Sequence, residues 1–577
     1  MLISSLCVLA LAPMPTTATA DVRSEEIFPE ETFFFARAEG IQAIVDRVGG
    51  SNTWKRFGDG ASLESMVGGV MSMVMDDPDL GDSGFEMPSE LAVGSYVSFN
   101  EDLGIEAPAY LVHVEFAGNP GIAESIFESR LRAMTDDGSI EFDREEIRGR
   151  EMLVVESSLE MPGIDDLMDM DGMMMPIGGD VDFMNDALSS MYIVHDGDRL
   201  LLGSDPVGID GALAVIDGAK NDCLADNDEF QALLDMIPED GRDLMAMILT
   251  SELSPVVAPM AGPMVGAAMP IILELFGDIR GYGFWGELAG ESSLMEFGVA
   301  MMIDGDRLGL VKLLDVSEPV GDIPAFVPDS AIAYSRMDFD FKNLVPTVRN
   351  LLSSLPEGEA QQIEPMFEQF APLLGSGLNT LGPAMHVFAV ETDSPFSPIR
   401  TTIAIPTSNA EALEQVFAML APAGGLMPRD FNGETIYSDP LDEFSQMAIG
   451  IGGGNLVIGE SEGVEAVLRS VGQKGLPKME DDPAGRIVRR ALPDRDLMGW
   501  GVLDVAKMLK AQEGMFAMMP MMMGQAGIDI DDMNDRMPGV LAMDEDEITE
   551  LAGPGWWYME STDDGMIWRI GVLAPAE

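Results

Sequence analysis

Ser461 sits in Gly-Glu-Ser-Glu-Gly (459–463), the G-x-S-x-G spacing that lifts a nucleophilic hydroxyl onto a sharp turn between a strand and a helix. Hydrolysis through such a serine needs a histidine later in the chain, and the last histidine is His386. A similar strand–turn–helix stretch, GSDPVG (203–208), carries Ser204 one place out of step. Ser461 is therefore expected to cap a helix rather than to attack a substrate. The three histidines, His113, His195 and His386, lie in or beside different apolar strands. None shares helical or hairpin spacing with another, so no zinc site is expected. Alternation in YLVHVEF (110–116) puts His113 on the face of Glu115, toward solvent.

Acidic clusters occur at 75–84, 163–175 and 527–537. Closely spaced aspartates suit calcium, but the EF-hand order fails in each. In the second, Leu167 takes the first ligand position and Gly178 the last. Solvated loops are the expectation, with weak calcium binding as the alternative. A carboxylate pair for hydrolysis is the rival functional class, and nothing in the spacing selects one. There is no P-loop, no dinucleotide fingerprint and no CxxC. GIGGGN (450–455) is followed by a strand and reads as a hairpin turn. Cys223, in DCLADND, has acids and no base beside it, which suppresses thiolate formation. No catalytic residue, metal or cofactor is assigned.

The tract GMFAMMPMMMG (514–524) holds six methionines in eleven positions. A second uncharged, Met/Pro/Gly-rich tract runs over 253–273, and further methionine-rich stretches lie at 65–75 and 167–179. The prolines at 255, 259, 263 and 270 argue against reading 253–273 as a membrane span. Methionine fills irregular cores, and it also makes surfaces that re-pack around varied apolar partners. Val505, Met508, Leu509, Gln512, Met515 and Met519 follow helical spacing and fit a buried stripe. PMMMGQAG is not explained in that way. Met264, Met269, Met518, Met519, Met521, Met522 and Met523 are the candidate apolar binding surface, for an apolar small molecule, a protein partner or a second copy. Copper(I) accepts thioethers, but these tracts contain no histidine.

The chain that must position these residues is 577 residues long, with 46% hydrophobic side chains and a formal charge of −68 from 100 acidic and 32 basic residues. That length calls for two or more domains. The charge repels nucleic acid and anionic membranes. An apolar run from Leu2 to Ala12 followed by Ala18-Thr19-Ala20 is expected to be a signal peptide, residues 1–20, directing the protein to the periplasm or outside the cell. One cysteine then remains, so stability must come from burial and not from a disulfide.

Internal similarity organises the rest. Segment 28–48 pairs with 327–348, 109–131 with 400–420, 196–216 with 452–471, 237–249 with 492–503, and 281–288 with 555–561. Arg-Asp-Leu-Met recurs at 242–245 and 495–498. Five blocks in one order predict a tandem duplication, with lobes at 21–322 and 323–577 and the two Met-rich tracts inserted at matching places. Asp205-Pro206 is the start signal of a helix. Hairpin turns are expected at Asp196-Gly197-Asp198 and Asp304-Gly305-Asp306. The fold class is α+β, each lobe a mainly antiparallel sheet covered by amphipathic helices. Phe28-Pro29-Glu30-Glu31-Thr32 and Val327-Pro328-Asp329-Ser330, with the later Gly203-Ser204-Asp205 and Gly459-Glu460-Ser461 units, resemble a secreted bacterial domain-of-unknown-function family of the DUF 3352 type. That resemblance implies the layout and no activity.

Overall fold

The computed structural model describes residues 22–51, 53, 88–100, 105–116, 140–157, 190–253, 273–290, 292–355, 357–392, 398–439, 447–470, 477–511 and 545–575. The first half of the chain contributes strands β1 (Thr32–Glu39), β2 (Pro88–Asn100), β3 (Ile105–Phe116), β4 (Ile140–Ile147) and β5 (Arg150–Ser157). After these come β6 (Ser190–Asp196), β7 (Arg199–Gly203), β8 (Leu244–Leu249), β9 (Asp278–Leu288) and β10 (Ser293–Asp304). The short β11 (Glu318–Pro319) leads to β12 (Ala331–Asp338), β13 (Ala384–Glu391), β14 (Ile399–Pro406), β15 (Met427–Phe431) and β16 (Glu434–Ser438). The chain closes with β17 (Met447–Gly452), β18 (Asn455–Glu460), β19 (Asp496–Leu497), β20 (Gly499–Leu503), β21 (Gly555–Thr562) and β22 (Gly565–Leu573).

The protein is α+β, built on a large antiparallel sheet. From edge to edge the strands run β4-β5-β6-β7-β3-β2-β1-β8-β9-β10-β22-β21-β20-β12-β13-β14-β18-β17-β16-β15. Outward from the central β10–β22 pair, the two sides carry their strands in the same order. The registers extend this to single residues. Phe35 faces Met247 as Tyr334 faces Val502, and Met245 faces Trp285 as Trp500 faces Tyr558. At the centre Phe297 faces Ile570 while Val299 faces Trp568, with Gly298 opposite Arg569. Phe297 and Trp568 therefore occupy corresponding places. Met245 corresponds to Trp500, so the two Arg-Asp-Leu-Met stretches stand two residues out of structural step. β11 pairs with β19, which ties the connecting segment to the second half.

Helices cover the sheet. The front face of the first half carries α1 (Ser24–Ile27), α3 (Pro206–Ile216) and α4 (Asp228–Met236), while α2 (Ile41–Gly50) follows β1. Between the halves lies α5 (Gly309–Leu314). The second half has α6 (Leu344–Ser354), α7 (Glu357–Leu378), α8 (Ala410–Leu420), α9 (Ser461–Ser470), α10 (Pro483–Ala491) and α11 (Glu545–Leu551). Front-face residues Phe28, Phe35, Leu201, Ile209, Phe230 and Trp285 form one core. Tyr334, Phe388, Val457, Val464, Val488 and Trp500 form the matching one. Each such side chain contributes about 1.5–3 kcal/mol by leaving water. On the back face Ile405, Tyr437, Ile451 and Leu456 are buried with Leu413 of α8. Strands covered on both faces read as apolar runs and not as alternation, as Leu200-Leu201-Leu202 does.

The local signals explain several boundaries. Asp205 caps α3, accepting from the amides of Val207 and Gly208 at 3.0 and 3.3 Å with Pro206 next. Gly197 (φ 64°) turns the β6–β7 hairpin, and Gly453 and Gly454 (φ 56° and 81°) turn β17–β18. Gly305 also has positive φ, 73°, but the Asp304–Asp306 turn is no hairpin. It hands β10 on to α5, because β10 already pairs with β9 and β22. Among the described residues, no helix is long and apolar enough to cross a membrane.

Candidate functional site

The front face holds the groups most suggestive of catalysis, and α1 covers most of them. His113 is fully buried, not solvent-facing as the alternation implied, because α1 covers the front face of β3. Ser24 of α1 lies 3.0 Å from its Nδ1, and the same hydroxyl donates to Glu90 Oε1. A nucleophilic triad needs the imidazole between hydroxyl and carboxylate, whereas here the hydroxyl is in the middle. Burial, with Arg199 nearby, lowers the imidazole to about 3, and burial pushes the Glu90 carboxyl up. Beside them Glu25, 3% exposed, pairs with Arg37 at 3.1 Å. Ser24, Glu25 and His113 are buried, Glu90 is half-buried, and their contacts anchor α1 to the sheet. His386 is likewise buried, its Nδ1 2.9 Å from the Tyr334 hydroxyl. His195 of β6 is half-buried opposite Leu200, so the three histidines stay apart.

Ser461 follows a strand and opens α9, as its motif required. It is the first helical residue and not the cap, and its hydroxyl accepts from Arg429 at 3.3 Å. The same guanidinium holds Glu465 at 2.7 Å, which places Ser461 in an ion-pair cluster without an imidazole. Cys223 is buried, its thiol pushed up to about 11 by burial and by Asp226, to which it donates at 3.3 Å. Iodoacetamide at pH 8 should therefore modify the native protein much more slowly than the urea-unfolded chain, by at least tenfold when followed by mass spectrometry. Equal rates would mean an exposed thiolate. Among the described residues, no group of three or more His, Cys, Asp or Glu side chains is gathered to hold a metal ion.

Met264, Met269, Met518, Met519, Met521, Met522 and Met523 lie outside the described residues, as do the three acidic clusters. The roots of the two tracts are described. β8 and β20 are separated by five successive antiparallel pairings, so they run in opposite directions. Their C-terminal ends, Leu249 and Leu503, therefore point to opposite ends of the sheet. In the helix at 505–511, Ala506 and Ala511 are the buried positions, while Val505, Met508 and Leu509 are half-buried.

What the back face does offer is an open apolar trough of about 370 Å³. Its floor is made of small residues brought together by register: Ala36 opposite Ala246, Ala38 on β1, and Gly286 on β9. Leu91, Val93, Phe284 and Phe297 wall it. Arg37 also borders it, but its guanidinium is taken up by Glu25 on the front face. Phe284 and Phe297 are 38% and 43% exposed, and Trp568 and Ile570 across the centre are 49% and 47% exposed. Large rings at the surface in one contiguous strip mark interaction sites.

The corresponding place in the second half is filled. There Ser335, Gly499 and Gly501 stand where the first half has Ala36, Leu244 and Ala246. Trp557, corresponding to Phe284, lies over the two glycines; a Cβ on Gly501 would run into its indole, and one on Gly499 would press tightly against it. Its Nε1 donates to Ser335 Oγ at 3.2 Å. No signal of length or periodicity marks the trough in the sequence. The nearest trace is the alternation of small and large residues in Phe35-Ala36-Arg37-Ala38. No protein-family model matches the chain, and no curated protein or solved structure is found to be similar to it.

Proposed function

We propose that the protein is a secreted or periplasmic binding protein without catalytic activity. It is a tandem duplicate with lobes at 21–322 and 323–577, and it receives an apolar, ring-sized group in the back-face trough of the first lobe. That group belongs to an apolar small molecule or to a side chain of a protein partner. The duplication is supported by the strand order, which is the same outward from β10 and from β22. The binding reading is carried by Trp557, which fills in one lobe the space that the other leaves open. The strip of Phe297, Trp568 and Ile570 would extend the contact across the centre.

The test is a fluorescence titration with the neutral probe N-phenyl-1-naphthylamine. Saturable binding is expected in the micromolar range, about −8 kcal/mol. Ala246→Leu, which fills the floor, should weaken it at least tenfold without lowering the melting temperature. Phe297→Ser should also weaken it. Undiminished binding in Ala246→Leu would place the apolar site elsewhere and end this reading.

A further inference from the structure

The back face of the central strands carries no charge. Alternate residues 91–95 of β2, 34–38 of β1, 244–248 of β8, 282–288 of β9, 295–301 of β10, 566–572 of β22 and 555–561 of β21 point there, and none of them is Asp, Glu, Lys or Arg. Charged residues of the same strands turn to the front, where Arg37 meets Glu25 and Arg569 meets Glu296. A charge-free face rich in aromatic residues and methionine, on a chain of net charge −68, has the composition of the centre of a protein interface. Among the described elements, α5 covers the end of it at Met566. Seven strands about 4.8 Å apart, open over about 20 Å of their length, give about 650 Å² per copy. A face-to-face pair would bury about 1,300 Å², inside the range of about 1,200–2,000 Å² for specific interfaces.

One row of this face is complementary to itself. Trp568, Val299, Phe284, Ala246 and Ala36 are successive cross-strand partners, so an exposed indole and the floor of the trough lie at one level along the strands. Among the described tryptophans only Trp568 is exposed. It stands three strands from Ala246, about 14 Å away. A two-fold axis parallel to the strands, passing between β9 and β10, sets Trp568 of one copy above Ala246 of the other, and does so twice. Sheets packed face to face lie about 10 Å apart with their strands within about 30°, and an indole opposite an alanine fills that gap. The second half shows the same fit from within, since Trp557 covers the place that corresponds to the trough.

We propose that the protein pairs with a second copy of itself through this face, the Trp568 indole of each copy entering the trough of the other. This pairing rests on the reading of the trough as a receptor for an apolar ring, and it names the ring. It also covers Phe297 and Ile570, which a small ligand in the trough would leave in water. Charge sets the condition. Two chains of net charge −68 repel one another at long range, and salt shortens that repulsion from about 10 Å at 0.1 M to about 3 Å at 1 M. The pair therefore tightens as salt rises.

Sedimentation velocity of the full chain, up to about 100 µM, tests this. A reversible monomer–dimer equilibrium is expected with a micromolar Kd, at least tenfold tighter in 1 M than in 0.1 M NaCl. Trp568→Ser and Ala246→Leu should each raise Kd at least tenfold. Mixed together, the two variants should associate more tightly than either alone, because the mixed pair keeps one indole facing one intact trough. A chain that stays monomeric at about 100 µM in 1 M NaCl would overturn the pairing. So would an unchanged Kd in Trp568→Ser, or a mixture no tighter than its components, the mark of association through another surface. Should Ala246→Leu not fold, Trp568→Ser decides alone. Titration with N-phenyl-1-naphthylamine separates this pairing from the reading beneath it. Saturable probe binding by a chain that never pairs overturns the pairing and leaves the trough as a receptor. Absence of probe binding by the monomer, at protein concentrations well below Kd, sinks the receptor reading and the pairing with it.

Discussion

Trp285→Ala is expected to destabilise the protein by about 3–5 kcal/mol, the range for deleting a buried large aromatic side chain. Trp285 is 4% exposed in the middle of β9. Two glycines make its slot, since a Cβ on Gly241 or on Gly298 would fall inside the indole. Gly298 lies on β10 opposite Arg569, at the centre of the whole sheet. The second half solves the same position differently. Tyr558 takes the place of Trp285, and Arg569 takes the place of Gly298 with its guanidinium 5.9 Å from the Tyr558 ring centre. The glycine is thus exchanged for a long side chain where the aromatic residue is smaller. Gly298→Ala should cost about 1–3 kcal/mol by overpacking, because the ring has backbone on both sides and nowhere to turn. The indole Nε1 makes no hydrogen bond, so Trp285→Phe loses volume and no polar partner. Urea denaturation followed by circular dichroism should rank Phe well above Ala. Equal losses for Phe and Ala would show that filling the slot is not what this residue does.

That comparison shows what kind of information the letters carried. Turn and cap chemistry is local, so Asp205-Pro206 and the glycines at 197 and 453–454 were legible directly. The order of blocks along the chain was legible because whole segments recur in it, and the strand order follows the same sequence of segments. Residue-level correspondence was not. The shared Arg-Asp-Leu-Met letters run into β8 in the first half but stop short of β20 in the second, whereas register is decided by which faces are buried, as in Met245 and Trp500. His113 was misplaced for a related reason. Alternation reports a face, but it cannot report that a four-residue helix from far upstream lies on that face. The trough was illegible because its floor comes from strands that become neighbours only in the folded sheet, β1, β8 and β9. Its residues are ordinary alanines and a glycine whose meaning is the volume they leave free.

The buried histidines give the other large effect, an acid sensitivity between pH 6.5 and 5. The imidazole of His386, lowered to about 4 by burial and by Arg336, stabilises the fold only while neutral. That contribution is complete above the unfolded value of 6.5 and is lost as pH falls towards 4. His113, lowered to about 3, behaves alike over a longer range. Asp338 opposes them. Burial, against the attraction of Arg336 at 3.1 Å, raises its carboxyl from 3.8 to about 6. Its contribution is complete below 3.8 and is lost as pH rises through 6, so acid restores it. Each group changes stability by about 1.4 kcal/mol per pH unit inside its window. From pH 6.5 to 5 the histidines together remove about 3 kcal/mol and Asp338 returns about 1, a net loss of about 2 kcal/mol from these three groups, which the raised carboxyls of Glu90 and Glu560 reduce further. Urea midpoints across that range should show the loss. His386→Gln should reduce it by about 2 kcal/mol, and Asp338→Asn should deepen it by about 1 kcal/mol. Opposite signs in the two variants are the discriminating result, because loss of packing alone would lower both curves without changing their slopes. An unchanged slope in His386→Gln would mean that the imidazole takes up its proton inside the fold, and that β13 opens far more readily than its burial implies.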